Sequence, residues 1–302
     1  MKRVAWLLIW LLVCAGPAFG ATEMAITVDD LPAHGALPPG TTRLAIAQHM
    51  IGVLTQHAVP GAYGFLNAGQ IDTTPEYRDI VKAWVRAGFR LGNHTYSHMD
   101  INRVPVAEYV ADIARNEPLG ATLGGARWFR VFRYPYLHEG DALDKRNAVR
   151  QWLAARGYAI AQVTIYFDDW AWNDPYARCV ARGDVQAIAW LKESFMESAR
   201  SRLAWSRVVS HRLFGRQIKH IVLLHMGAFD ALMLGDLLRA YRQAGMKPID
   251  LGVAMRDPAY ALNPGIVWEG ELTFLLQIAQ ARRIFIPTDP KIPLEGLDAL
   301  CR

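Results

Sequence analysis

Cysteine is scarce in this chain of 302 residues, with three in all, at positions 14, 179 and 301. Neither Cys179 nor Cys301 has a second cysteine or a histidine at ligand spacing, which argues against their being metal ligands. Basic runs are missing too. The arginines are scattered, without an aromatic-basic repeat, which argues against nucleic acid as a partner. No internal repeat or low-complexity segment stands out. What remains is a chain that is 52% hydrophobic and 20% charged, enough to bury one large core.

The first twenty residues are a separate object. A short basic start, MKR, precedes the apolar run VAWLLIWLLVCA, and GPAFGA closes it with a helix breaker and small residues. This is the layout of a signal peptide over residues 1–20, with Ala18 and Gly20 at the small positions before the cut. An uncleaved anchor is the alternative, but the run is short for a span of about 20 residues. Cys14 as a lipidation site would want a smaller neighbour than Val13. Cleavage would remove Lys2 and Arg3 and take the formal charge from +5 to +3. Export, to the periplasm or the medium, is the expectation. In an oxidising compartment Cys179 and Cys301 can pair, stapling the tail to the segment after DDWAWNDPYARC; two unrelated thiols are the alternative.

From residue 24 onward, short β-rich runs alternate with helical patterns. Strands are expected at 24–28, 62–67, 89–93, 127–132, 158–166, 220–225 and 247–252. Helical periodicity fills 41–58, 75–88, 106–117 (ending before Pro118), 143–157, about 182–210, and 229–245. Alternation of this kind predicts an α/β fold, a (β/α)7 barrel of parallel strands with covering helices; an open doubly wound sheet is the competitor. Residues 21–252 are expected to form the catalytic domain. Residues 253–302 are expected to be an extension packed on the barrel.

In such folds functional groups gather where strands end. Asp29 and Asp30 follow strand one. His94 ends strand three, with His98 four residues later. Arg133 ends strand four, DDW (168–170) follows strand five, and His225 ends strand six. Four-residue spacing on a helix would put both imidazoles on one face. Two imidazoles and one carboxylate make the ligand set of a catalytic zinc, and also of a non-haem iron site. Thr95, not glutamate, follows His94, so the base comes from elsewhere. One of the two aspartates can bind metal while the other, Asp29, serves as base with Arg133 holding it ionised. His225 is placed to be a general acid, with an aspartate of 168–169 to orient it.

Five of these segments, in this order, resemble the polysaccharide deacetylase family, the NodB-homology domain of carbohydrate esterase family four. TVDD (27–30) is similar to its first motif, HTYSH (94–98) to its second, and RYPY (133–136) to its third. YFDDW (166–170) meets the fourth in part, and LLH (223–225) the fifth. The resemblance implies a distorted (β/α)7 barrel and metal-dependent removal of acetyl groups from sugars. It assigns Asp30, His94 and His98 to the metal, zinc in the first place, with cobalt, manganese, nickel or iron open. Asp29 becomes the base, tuned by Arg133, and His225 the acid, supported by Asp169. The backbone N–H of Tyr136 helps hold the oxyanion, and Trp170 and Leu223 line the acetyl pocket. Two departures stand out: Leu31 replaces the family's glycine, and Tyr166 replaces the first acid of the fourth motif. Counting that motif from Asp168 instead, two residues later, would make Trp172 its tryptophan, with Ala171 in place of its aspartate; Asp169–Trp170 keeps the adjacent pair.

The implied reaction is hydrolysis of an acetamide on a glycan of the peptidoglycan, chitin or xylan type. A metal-dependent amidase or esterase on a non-sugar substrate is the second reading. A glycan-binding protein that does not turn substrate over is the third.

Overall fold

The computed structural model describes residues 21–302; the expected signal peptide lies outside the described residues. β1 (Thr22–Leu31) leads through α1 (Arg43–Gln56) to β2 (Tyr63–Leu66), and α2 (Gly69–Thr73) and α3 (Arg78–Arg86) lead to β3 (Arg90–Asn93). Then come α4 (Val106–Gly124), β4 (Trp128–Phe132), α5 (Leu143–Ala155) and β5 (Ala159–Ile160). α6 (Asn173–Arg182) and α7 (Val185–Phe214) precede β6 (His220–His225), α8 (Ala228–Gln243) and β7 (Met246–Pro248). The C-terminal segment carries α9 (Leu251–Ala254), α10 (Phe274–Ala281) and α11 (Leu294–Ala299). None of the described helices is long and apolar enough to cross a membrane.

All pairings are parallel, in the order β5-β4-β3-β2-β1-β6. Met24 pairs with both His220 and Pro248, so β7 takes the lower part of the β1 edge that β2 occupies from Thr27 onward. The open side is bridged between Ile165 and Val222, where the Leu223 N–H donates to Ile165 O at 3.1 Å. The sheet therefore curls into the distorted (β/α) barrel expected from the sequence.

Side-chain alternation explains what the barrel holds. Successive strand residues point to opposite faces, and both faces are covered here, so the strands read as continuous apolar runs. Met24, Ile26 and Val28 turn outward into the core shared with α1 and α8. Ala25 turns inward and meets Tyr63, Phe65, Val131 and Ile221. Further up the same inward rows stand Asp29, Arg133 and His225. The interior is thus apolar at its base and ionisable at its mouth.

Several boundaries differ from expectation. The strand expected over 158–166 pairs with β4 only at Ala159–Ile160. Beyond it, Ala161 O accepts from Arg133 Nε at 2.7 Å, and Thr164 and Ile165 attach to Ile221 O instead. The chain leaves one strand to reach the other, which closes the barrel at the cost of regular pairing. The helix expected from 182 starts at Val185, because Gly183 (φ 66°) ends α6 and the Asp184 side chain caps α7 on the Ala187 N–H at 2.9 Å. α4 runs through Pro118 to Gly124. Packing overrides the proline there: Tyr109, Ile113 and Asn116 are buried, and a Cβ at Gly120 would lie 2.3 Å from the Trp128 ring. The last strand is only Met246–Pro248.

Cys179 and Cys301 are joined in a disulfide, with Cα atoms 5.2 Å apart. Arg178 adds hydrogen bonds to Leu297 O at 3.0 Å and Leu300 O at 3.1 Å, tying the tail to α6. α10 joins a separate core with Trp205, Val209 and Leu213 of α7. The Phe274 N–H reaches Val163 O at 2.7 Å, on the irregular segment between β5 and the Ile165 bridge.

Candidate metal centre

Two adjacent residues of a regular strand cannot face the same way. Asp29 and Asp30 do so because Asp30 is left-handed (φ 60°) and the register with β2 shifts between Val28 and Leu31. Both carboxylates consequently line the mouth, and both are buried.

The histidine pair is also not on a helix. After β3 the chain runs irregularly through Met99, with Thr95 (φ 63°) and His98 (φ 56°) left-handed. The loop is held from beneath. Asn93 Oδ1 accepts the Thr95 N–H at 2.9 Å, Asp112 Oδ2 accepts the Ser97 N–H at 3.0 Å, and Thr95 Oγ1 accepts the Met99 N–H at 3.0 Å. The two rings still converge, with centroids 5.0 Å apart.

Asp30 Oδ1 lies 3.4 Å from His94 Nε2 and 3.2 Å from His98 Nε2. Two ligands each about 2.0–2.1 Å from a tetrahedral ion stand about 3.4 Å apart, so the spacing fits a metal. One potential ligand atom from each of the three residues falls within 4.8 Å of the others. Asp30 Oδ1 is buried and meets no hydrogen-bond donor, a vacancy a cation would satisfy. His94 Nδ1 faces Arg133 O at 2.8 Å, which requires the proton there and leaves Nε2 as a lone pair toward Asp30. Asp30 Oδ2 is taken by His34 Nδ1 at 2.7 Å.

The charges agree. Burial would raise the Asp30 carboxyl, but His98, His34 and His94 together hold it well below the usual carboxylate range. Burial pushes His98 down to about 4, so it is neutral and able to coordinate. Burial also lowers His94, but Asp29 and Asp30 outweigh it and raise the ring above its ordinary value. A cation between these groups would displace that proton.

Arg133 stands behind Asp29, its Nη1 at 3.2 and 3.3 Å from the two carboxylate oxygens. His225 enters from the other side. Its Nδ1 faces Asp169 Oδ1 at 3.0 Å and its backbone N–H donates to Asp169 Oδ2 at 2.7 Å, so Nε2 is the nitrogen left for the cavity. The cavity between them measures about 450 Å³. Tyr136, Trp170 and Leu223 line it. The Tyr136 backbone is left-handed (φ 56°), and its ring meets His98 edge-on at 4.6 Å. Tyr166 accepts a hydrogen bond from Trp170 Nε1 at 2.8 Å, so the residue that departs from the family's fourth motif braces the rim tryptophan. Trp172 is fully buried and bonded to Ser194, which leaves Trp170 as the tryptophan at the cavity.

Asp29, Asp30, His94, His98, Tyr136, Trp170, Leu223 and His225 line this cavity, and Arg133 and Asp169 stand directly behind it. Three others were not foreseen. His34 holds Asp30; its only signal was a histidine in the same DDLPAHG loop. Glu271, from the segment before α10, reaches the rim, and Asp230 lies behind Asp169. Neither is marked by spacing.

Residues 18–158 match the family model described as polysaccharide deacetylase. The chain is 27% identical over 156 residues to a peptidoglycan-N-acetylglucosamine deacetylase of Bacillus cereus, which covers 52% of this chain and 49% of that protein. It is 23% identical over 125 residues to a chitin deacetylase of Arthroderma benhamiae, covering 41% of this chain and 30% of that one. The chain thus spans half or less of the length of these curated relatives. Among solved structures, a carbohydrate esterase family 4 pseudoenzyme from Bacillus anthracis shares the fold, with a TM-score of 0.54, 14% identity, and 78% and 66% of the two chains covered. The family match, the two relatives and the shared fold agree with the five segments: over residues 18–158 this chain is similar to the polysaccharide deacetylase family.

Proposed function

We propose that the chain is a metal-dependent hydrolase that removes acetyl groups, N-acetyl foremost, from a polysaccharide or oligosaccharide. One observation carries this reading: the Asp29–Arg133 and His225–Asp169 pairs flank one cavity that also holds the Asp30–His94–His98 set.

Asp30, His94 and His98 would hold the metal, zinc being the first choice for this ligand set. Such an ion supplies Lewis acidity toward the acetyl carbonyl and acidifies water. Asp29 takes the proton of the attacking water, while Arg133 Nη1, at 3.2 and 3.3 Å from its two oxygens, holds the carboxylate in place. The Tyr136 N–H stabilises the developing oxyanion. His225 gives a proton to the leaving nitrogen, without which an amine leaves poorly, and Asp169 fixes the ring so that Nε2 delivers it. Leu223 and Trp170 enclose the acetyl group and the sugar face. Residues 21–252 form the catalytic unit in this reading and 253–302 an extension that contributes Glu271. The N-terminal pattern and the disulfide favour export to the periplasm or the medium.

A fold relative that is a pseudoenzyme makes a non-catalytic glycan-binding role the reading to test against. Acetate release by the chain from Ala21 onward is measured on N-acetylglucosamine oligomers, peptidoglycan, acetylxylan and small non-sugar amides, beside His225→Ala. Turnover of a glycan that His225→Ala abolishes supports the proposal. Turnover of the small amides alone selects an amidase, and glycan affinity without turnover selects a binding protein.

A further inference from the structure

Behind His225 lies a second buried carboxyl that none of the five segments contains. Asp230, in the first turn of α8 and 2% exposed, lies against Asp169, its Oδ2 held by Asn173 Nδ2 at 2.7 Å. Two ionised carboxylates have no proton to share and repel, so this contact requires that one of them be protonated. The surrounding donors show which. Asp169 already receives two, the backbone N–H of His225 at 2.7 Å and its ring Nδ1 at 3.0 Å. Asp230 Oδ2 receives one, Asn173 Nδ2 at 2.7 Å, while its Oδ1 meets none. Asn173 cannot be turned around without loss, because its Oδ1 accepts the Phe229 N–H at 2.8 Å. Gly227 gives it room, since a Cβ there would lie 2.2 Å from that oxygen. Donors thus favour the charge on Asp169 and the proton on Asp230. Burial raises both carboxyls, Asp169 to about 7 and Asp230 well above the usual range.

We propose that Asp230 is a positioning residue that keeps its proton at neutral pH and donates it in a hydrogen bond to Asp169, so that the pair carries one negative charge and holds His225 in a single orientation. The proposal deepens the reading of His225 as acid and rests on it. A carboxylate that accepts this third donor is less basic, so it grips the imidazolium less tightly and eases proton release to the leaving nitrogen. The other titratable groups that face the ring or the pair are His34, His98, Asp168, Tyr166, Tyr241 and Glu271.

Asp230→Asn keeps a donor toward Asp169 and an acceptor toward Asn173, whereas Asp230→Ala removes both. Infrared difference spectra at pH 7, wild type minus Asp230→Asn, should show the stretch of a protonated carboxyl. No such difference overturns the proposal, whether or not the chain turns over any substrate. In kinetics on N-acetylglucosamine oligomers, Asp230→Asn should keep kcat within about twofold and leave the alkaline limb in place. Asp230→Ala should move that limb up by about one pH unit, a tenfold change in the acid's proton affinity, and lower kcat several-fold. An alkaline limb that Asp230→Asn displaces as far as Asp230→Ala, or that Asp230→Ala leaves unmoved, overturns the proposal. Absence of acetate release by the wild type fails the deacetylase reading alone, while the infrared arm still decides where the proton sits.

Discussion

Arg133 and Asp29 offer the sharpest quantitative test of the site's electrostatics. Arg133 is 1% exposed and Asp29 2%. Besides its two contacts to Asp29, the guanidinium donates to Ala161 O at 2.7 Å and Thr27 Oγ1 at 3.2 Å, and it lies 4.7 Å from the Phe65 ring centroid. Unit charges about 4 Å apart attract by about 4 kcal/mol at an effective dielectric of about 20. Removing one partner of a buried pair leaves the other uncompensated and costs about 3–5 kcal/mol. Arg133→Met should therefore lose about that much, which at roughly 2–4 °C per kcal/mol lowers Tm by about 6–20 °C. Arg133→Met with Asp29→Asn removes both charges, so its loss should fall short of the sum of the single losses by about 2 kcal/mol or more. Urea unfolding followed by circular dichroism, with chelator present and the disulfide intact, measures all four corners. A single-variant loss below about 1 kcal/mol, or losses additive within about 0.5 kcal/mol, would refute the coupling of the two residues.

His34→Ala frees Asp30 Oδ2 and should weaken zinc binding by about 10–100-fold in calorimetry, as expected for loss of a group that orients a ligand; unchanged affinity would remove His34 from the site. Asp169→Asn keeps the shape but not the charge behind His225, and kcat should fall by about 10²–10⁴, the usual range for a general acid, with KM little changed. The disulfide joins residues 122 apart. Chain entropy gives about 4.7 kcal/mol for a loop of about 100 residues, so Cys179→Ser should lower stability by about 3–5 kcal/mol in urea. Acetate release at 25 °C should persist, because neither cysteine lines the cavity.

How far the sequence could be read follows from what each feature depends on. Apolar runs ending in ionisable residues are a local pattern, so the parallel α/β alternation and the gathering of Asp29, Arg133 and His225 at strand ends are legible in spacing, while the choice of barrel over open sheet leans on the family resemblance. Two cysteines in a chain proposed to be exported allow one pairing, and the structure forms it rather than leaving two unrelated thiols. The path of residues 161–165 could not be read, because it depends on Arg133 claiming Ala161 O from across the barrel. The four-residue spacing of the histidine pair predicts a helix, yet the pair converges through left-handed residues pinned by Asn93 and Asp112. Six of the nine described non-glycine residues with positive φ (Asp30, Thr95, His98, Tyr136, Leu137 and Asp168) stand around this mouth. Such conformations are set by tertiary contacts and leave no periodic trace. Asp230 and Glu271 were invisible for a related reason: each is brought in by an element remote in sequence from the groups it meets.

The central claim is that Asp30, His94 and His98 hold a metal that hydrolysis requires. The most direct measurement is acetate release from N-acetylglucosamine oligomers by the chain from Ala21 onward, before chelation, after it, and with zinc restored, beside Asp30→Ala. The account predicts release that chelation abolishes, that zinc returns in the wild type, and that zinc does not return in Asp30→Ala. Release that survives chelation, or that Asp30→Ala retains, would contradict it.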